Sequence, residues 1–480
     1  MNRLEPSPEQ FAAVTAAVAQ RIAEHLRTLP EQTAAYLDTE EAATWSQRLV
    51  RPMPESGTEL DPILDMLFDE AIPRSYNTAS PGYLAYIPGG GLLHSAIADL
   101  IASTTNRFVG VYAAAPALAT IEATVVRWLC DLVGLPSDTS SGFLTTGGSL
   151  ANFSAVVCAR RDRLPENFLN GRMYVSDQVH HSVAKAATLA GFPARAVRSV
   201  PTDGQFRMRL DALTEQLDAD RAQGLTPFLI VGSGGTTNTG AVDDLNGLAD
   251  LAEEYETGFH VDAAYGGFFL LTDRGRTALS GIERADSVTL DPHKGLFLPY
   301  GTGALVVRDG QALRRAHDAD AAYLPDMQQA DDRVDYTLIT PELSRDWRGL
   351  RVWLPFQLCG AEAFRTALDE KLDLTHLATE KLRAMEHIKI VAEPQLSVVG
   401  FRLEPPHLDL DALNDLNERL LAAINERKNV HMTATRVTLN NQPAQFVIRI
   451  CVLSFRTHKD RIDQCLQDIE SARRELLNQP

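Results

Sequence analysis

Ser287-Val-Thr-Leu-Asp-Pro-His-Lys-Gly-Leu-Phe-Leu-Pro-Tyr300 decides how this chain is read. Its first four residues alternate as a short strand does, and Asp291-Pro292 then breaks the pattern. Lys294 follows at the strand end, between His293 and Gly295, in an otherwise apolar segment. Burial disfavours an ammonium ion, and a neutral amine attacks carbonyls to form a Schiff base. A solvated loop lysine uses the same residue, and for a lysine taken alone that reading is the commoner one. The neighbouring sequence has to separate the two.

Outward from this segment, short β-rich runs alternate with helical patterns between residues 95 and 310. Strands are expected at 174–176, 196–200, 228–232, 258–262, 287–290 and 304–308, and helices at 150–160, 182–190, 210–222 and 245–255. That alternation predicts an α/β domain on a mostly parallel sheet with helices on both faces. Ligands of such sheets gather beyond the carboxyl ends of the strands, where Asp262 and Lys294 both fall. From 318 to 346 the periodicity fails, which marks a functional or partly disordered loop. Helix 372–385, strands within 388–403, helix 410–425, strands near 430–439 and 445–454 and helix 458–477 make a small α+β lobe. At the other end, Ser7-Pro-Glu-Gln10 reads as a capping box. Phe11, Val14, Val18, Ile22 and Leu26 then give an amphipathic helix that needs a surface, its own core or a partner subunit. The expected division is a helical arm at 1–94, a large domain at 95–370 and a small domain at 371–480.

A net charge of −18 argues against a nucleic-acid or anionic-membrane partner, which call for a basic face. Cys130, Cys158, Cys359, Cys451 and Cys465 lack CxxC spacing and read as buried thiols in a reducing compartment, not as disulfides or a zinc site. No apolar stretch is long enough to span a bilayer, and a cytoplasmic protein is expected.

Four segments offer groups to one ring-shaped, phosphate-bearing ligand. Thr145-Thr-Gly-Gly-Ser-Leu-Ala-Asn152 leads into a helix, so Gly147, Gly148 and Ser149 present amides and a hydroxyl at a helix N-terminus, although a plain N-cap has the same composition. Gly258-Phe-His-Val-Asp-Ala-Ala-Tyr-Gly-Gly267 ends a strand on Asp262. A buried carboxylate there needs a partner, whether a protonated ring nitrogen, a helix cap or a salt bridge. Ala264 is small enough to lie flat under a ring. Ser176-Asp-Gln-Val-His-His-Ser-Val183 carries His180 and His181; adjacent side chains diverge, so no metal is expected, and His181 stays an ordinary surface histidine on one reading. Gly234-Gly-Thr-Thr-Asn-Thr-Gly240 suits a loop around a polar ligand or an unremarkable turn.

Together these segments resemble the pyridoxal-phosphate-dependent group II decarboxylases, the aromatic-amino-acid and glutamate decarboxylase type, from about Tyr83 to the end of the chain. His-Val-Asp-Ala-Ala-Tyr (260–265), Asp-Pro-His-Lys (291–294) and the spacing between Asp262 and Lys294 carry the resemblance. It implies fold type I, the aspartate-aminotransferase-like α/β fold, with pyridoxal 5'-phosphate as cofactor. It also implies a homodimer with sites at the interface and decarboxylation of an L-amino acid, aromatic by preference. Lys294 would hold the cofactor, Asp262 pair with its ring nitrogen, and His180 and Ala264 flank the ring. Thr237 would lie near it, and Gly148, Ser149 and His293 near the phosphate. Asp291 departs from the asparagine of the animal enzymes, and no phosphate contact is assigned to it. Tyr336 aligns with a mobile-loop tyrosine that protonates the substrate carbon from the neighbouring subunit. Tyr86, Ile87, Phe108, Gly110, Tyr112 and Arg449 match segments lining the substrate, and ordinary core or dimer packing or, for Arg449, a salt bridge explains them equally. Gly89 and Gly110 stand where animal enzymes carry larger residues, which suggests a roomier pocket. An aldehyde synthase of the same family, another pyridoxal-phosphate lyase or aminotransferase, and a non-catalytic binder of the cofactor are the competing readings. Retention of Tyr336 and His180 speaks against the first.

Overall fold

In the computed structural model, which describes residues 4–317, 333–438 and 443–478, two sheets organise the chain. The larger contains β1 (Ser141–Thr145), β2 (Gly171–Ser176), β3 (Val197–Val200), β4 (Thr226–Ser233), β5 (Gly258–Asp262), β6 (Ser287–Leu290) and β7 (Gly303–Val307). Their order is β1-β7-β6-β5-β4-β2-β3. β2 to β6 pair in parallel, and β7 lies antiparallel between β1 and β6. All five residues of β5 and all four of β6 are buried, the mark of strands covered on both faces. The runs expected at 258–262 and 287–290 have those bounds, and the other four differ by one to three residues at an end. β1 was not expected.

Register places the site. Ser233, Asp262 and Thr289 stand side by side at the carboxyl edge of β4, β5 and β6. A central cluster including Ile230, Phe259, Val261, Val288 and Leu290 packs beneath them, leaving that edge as the opening between layers.

β8 (Ile388–Ala392), β9 (Val398–Leu403), β10 (Thr433–Val437) and β11 (Gln445–Cys451) form the second sheet, antiparallel throughout, in the order β10-β11-β9-β8. Its core includes Phe401, Leu420, Ile448 and Ile469, and Leu84 from the N-terminal segment joins it. Leu84 donates its N–H to the His431 carbonyl at 2.9 Å and accepts from Cys451 N at 3.0 Å. The helix Gly349–Arg383 runs through residue 370 without a break there, its one non-helical residue being Gly360 (φ 70°, ψ 161°).

The capping box at Ser7 is present in both directions, opening the helix Pro8–Thr28. That helix buries no residue against its own chain, and Phe11 and Val14 stay exposed. Of the irregular 318–346 stretch, residues 318–332 lie outside the described residues, and the rest contains one short helical turn, Tyr336–Ile339. Among the described residues no helix is long and apolar enough to cross a membrane.

Candidate active site

Asp262 ends β5 and is 8% exposed. Its Oδ2 accepts from Asn152 Nδ2 at 2.9 Å and its Oδ1 from Ala264 N at 3.2 Å. Neither donor carries charge, so the carboxylate is oriented without being neutralised.

After β6, Asp291 opens a single helical turn, Pro292–Gly295, and Lys294 N donates to the Asp291 carbonyl at 2.8 Å. The same turn brings Lys294 Nζ to 2.8 Å from Asp291 Oδ2. The apolar setting expected for the lysine is therefore corrected: its amine is ion-paired, with a side chain 21% exposed. Asp291 is 1% exposed, and its Oδ1 has no hydrogen-bond partner. His293 Nδ1 meets the Thr302 carbonyl at 2.7 Å, and burial lowers the histidine's pKa.

Facing this turn, β1 ends at Thr145, whose hydroxyl accepts from Gly147 N at 3.2 Å. The helix Gly148–Arg163 begins there, and the first N–H groups of a helix have no intrahelical acceptor. A Cβ on Gly148 would lie 3.0 Å from Asp291 Oδ2 and 3.3 Å from Ala264 Cβ, so a side chain there would fill the space in front of the amides.

One cleft is lined by Gly148, Ser149, His180, Thr237, Asp262, Ala264, His293 and Lys294, as expected, and also by Thr146, Gly147, Asn152, Ser182, Ser233, Gly235, Thr236, Tyr265 and Asp291. Asn152 lies three residues beyond Ser149, a helical spacing that could have flagged it. His180 is half-buried and caps the helix His181–Leu189 through its Nδ1. A buried carboxylate, an amine on the same rim and an open helix N-terminus fit a cationic ring bearing an aldehyde and a phosphate.

Tyr86, Ile87, Phe108, Gly110, Tyr112, Arg449 and Tyr336 are not in that lining. Tyr86 and Phe108 are 54% and 42% exposed, and Ile87 belongs to the central core. Tyr112 donates its N–H to Asp335 Oδ1 at 2.6 Å. Among the described residues Arg449 makes no salt bridge to a carboxylate. Its guanidinium donates to the carbonyls of Asn238 (2.7 Å), Thr237 and Tyr86 (3.4 Å) and to Thr433 Oγ1 (3.1 Å), tying the Thr237 loop to β10 and β11.

The two glycines have packing reasons. A Cβ on Gly89 would come 2.2 Å from the His293 carbonyl oxygen, and one on Gly110 would come 2.7 Å from the Phe108 ring. At Gly89 the neighbour is backbone, whereas at Gly110 it is the end of a side chain that can turn away. Gly89→Ala is expected to push on the lysine turn and destabilise the fold by about 1–3 kcal/mol. Thermal unfolding checks this, and an unchanged Tm would mean that the segment moves freely.

Tyr336 lies away from that lining. It is fully buried with Phe143, Ala151, Ala155 and Leu305, and its hydroxyl has no hydrogen-bond partner. The Arg345 guanidinium lies 4.6 Å from its ring centroid, and Arg345 Nη2 pairs with buried Glu122 at 2.6 Å. Burial, reinforced by Glu122, raises the phenol's pKa well above 10, making it a weaker acid. Within its own chain the side chain packs apart from the cleft lining. Tyr336→Phe should leave stability unchanged or raise it by about 1 kcal/mol, because it removes an unpartnered hydroxyl. Thermal unfolding checks this, and a steep fall in kcat of the same variant would place the phenol in the chemistry.

The strand order, the site at the sheet's carboxyl edge and the second, antiparallel sheet define a pyridoxal-phosphate enzyme of fold type I. Residues 51–404 match the family model described as the pyridoxal-dependent decarboxylase conserved domain, and the chain belongs to that family. It is 32% identical to the aromatic-L-amino-acid decarboxylase of Bacillus atrophaeus, over 99% of this chain and 98% of the relative. It is 30% identical to a tryptophan decarboxylase of Camptotheca acuminata, over 90% of this chain and 89% of that one. Among solved structures, Oryza sativa TDC with PLP and tryptamine superposes with a TM-score of 0.92 at 23% identity, covering 99% of this chain and 100% of the other. The chain is thus a pyridoxal-phosphate-dependent amino-acid decarboxylase, a carboxy-lyase.

Proposed function

We propose that this decarboxylase acts on aromatic L-amino acids, as a cytoplasmic homodimer, through the cleft between Asp262 and Lys294. The carrying observation is the meeting of a buried carboxylate, an amine and a glycine-framed helix N-terminus in one lining. The substrate class is supported by the relatives named aromatic-L-amino-acid and tryptophan decarboxylases. A homodimer is supported by apolar surface that a single chain leaves exposed, Phe11 and Val14 on the first helix and Ile97, Leu100 and Ile101 on Leu93–Thr105. Tyr86 and Phe108 belong to the same exposed set, so a second copy is the proposed source of the remaining pocket walls. Five unpaired cysteines support the reducing compartment. The arm, large domain and small domain are proposed as the working units, although Leu84 packs with the last of them.

When bound, the cofactor supplies an electron sink for the bonding pair released with CO2. Lys294 Nζ would hold it covalently. Asp262 would keep a proton on the ring nitrogen by offering a charge that no cation of its own has cancelled. His180 and Ala264 would flank the ring. The amides of Gly148 and Ser149 would take the phosphate with His293 beside them, and Thr237, fixed by Arg449, would close the rim. The group proposed to return a proton to the substrate carbon is Tyr336, as the resemblance implies, or else Lys294 Nζ or His180 of the lining.

Measurement of CO2 and amine from the standard amino acids plus dopa and 5-hydroxytryptophan tests the reading. Release confined to aromatic substrates is expected, and its absence there would overturn the substrate class. Peroxide and ammonia in place of the amine would favour oxidative deamination.

A further inference from the structure

Asn152 is 1% exposed and touches four functional groups. Its Nδ2 reaches Asp262 Oδ2 at 2.9 Å and Ser182 Oγ at 3.0 Å, and its Oδ1 meets Thr289 Oγ1 at 2.7 Å and His260 Nε2 at 3.1 Å. The carboxylate settles which way the amide faces, because an ionised Asp262 only accepts and the NH2 group must point toward it. Oδ1 then needs donors. Thr289 supplies its hydroxyl proton and His260 its Nε2–H, leaving His260 Nδ1 to accept from Ser287 Oγ at 2.8 Å. Burial pulls the pKa of His260 down to about 4, in keeping with that neutral ring.

On the other side the order continues into the cleft. Ser182 Oγ, occupied by the Asn152 amide, turns its own proton to His180 Nδ1 at 2.8 Å. The Ser182 N–H points at the same nitrogen from 3.3 Å. Two donors converge on Nδ1, so the His180 ring carries its proton on Nε2.

We propose that Asn152 is a positioning residue that sets two cofactor-facing groups at once, the orientation of the Asp262 carboxylate and the Nε2–H tautomer of His180. Its place on the helix Gly148–Arg163 ties both to the element proposed to bind phosphate, and in this respect the inference rests on the proposed cofactor cleft.

The test reads the tautomer by long-range 15N spectra of histidine-labelled full-length protein, loaded with pyridoxal phosphate and free of it, with His180→Gln assigning the signal. In the unaltered protein His180 should be a single Nε2–H species in both states. Ser182→Ala and Asn152→Ala should each turn it into a tautomer mixture. Asn152→Ala, which also frees Asp262, should lower kcat about 10–100-fold, with KM less affected. A single Nε2–H tautomer surviving in both variants, or Nδ1–H in the unaltered protein, would overturn the proposal. If Asn152→Ala does not fold, Ser182→Ala alone decides the histidine arm. The cofactor-free spectra are independent of where the cofactor binds, so failure of the cleft reading would show separately, as cofactor attachment that survives loss of Lys294.

Discussion

Lys294→Ala is expected to abolish covalent cofactor attachment and to lower kcat at least on the order of 1,000-fold, a loss of about 4 kcal/mol in transition-state stabilisation. Borohydride reduction followed by peptide mapping measures the first effect and amine formation the second. The substitution also removes the partner of Asp291, a carboxylate 1% exposed whose other oxygen has no donor. An uncompensated buried charge is costly, although the lysine's 21% exposure moderates the loss to about 1–3 kcal/mol. Asp291→Asn in the same chain should therefore restore the lost stability and none of the turnover. That combination separates the lysine's chemistry from its electrostatic role. Labelling of another lysine in Lys294→Ala would remove Lys294 from the proposal.

The ion pair illustrates what was legible in the chain and what was not. Asp291 and Lys294 are three residues apart on one helical turn, so their contact follows from local geometry once the turn is recognised. Burial of the lysine taken alone points instead to an apolar setting. β5 and β6 were read with their bounds because continuous apolar runs end abruptly at Asp262 and at Asp291-Pro292. β1 escaped notice because Ser141–Thr145 contains only two large apolar residues, Phe143 and Leu144, and owes its conformation to pairing with β7.

Long-range packing sets other features. Nothing local announces Arg345 over the Tyr336 ring or its pairing with Glu122, which lies more than 200 residues away in sequence. Gly89 was read as a vacancy in the pocket, whereas the backbone of His293 occupies the space its side chain would need. Motif positions were readable where one turn carries the chemistry. They were not where partners converge from several strands and helices, as Asn152, His260, Thr289 and Ser182 do.

Asp262→Ala is expected to lower kcat on the order of 1,000-fold as well, about 4 kcal/mol, while covalent attachment to Lys294 persists. The carboxylate's proposed work is electrostatic, holding a proton on the ring nitrogen so that the ring accepts electrons from the bond to CO2. Asparagine is no mild replacement. Asn152 Nδ2 and Ala264 N donate to opposite oxygens of Asp262, and an amide would turn its own NH2 toward one of those donors. Asp262→Asn therefore loses the charge and also the hydrogen-bond match. A pyridoxal phosphate analogue methylated on the ring nitrogen has a permanent positive charge and needs no proton held there. It should raise the kcat of Asp262→Ala while lowering that of the unaltered enzyme, where the methyl group meets the carboxylate and its two donors. If Asp262→Ala kept normal turnover, or lost it without any response to the analogue, Asp262 would be a structural residue of the β5 edge. The electron sink would then need another source of charge.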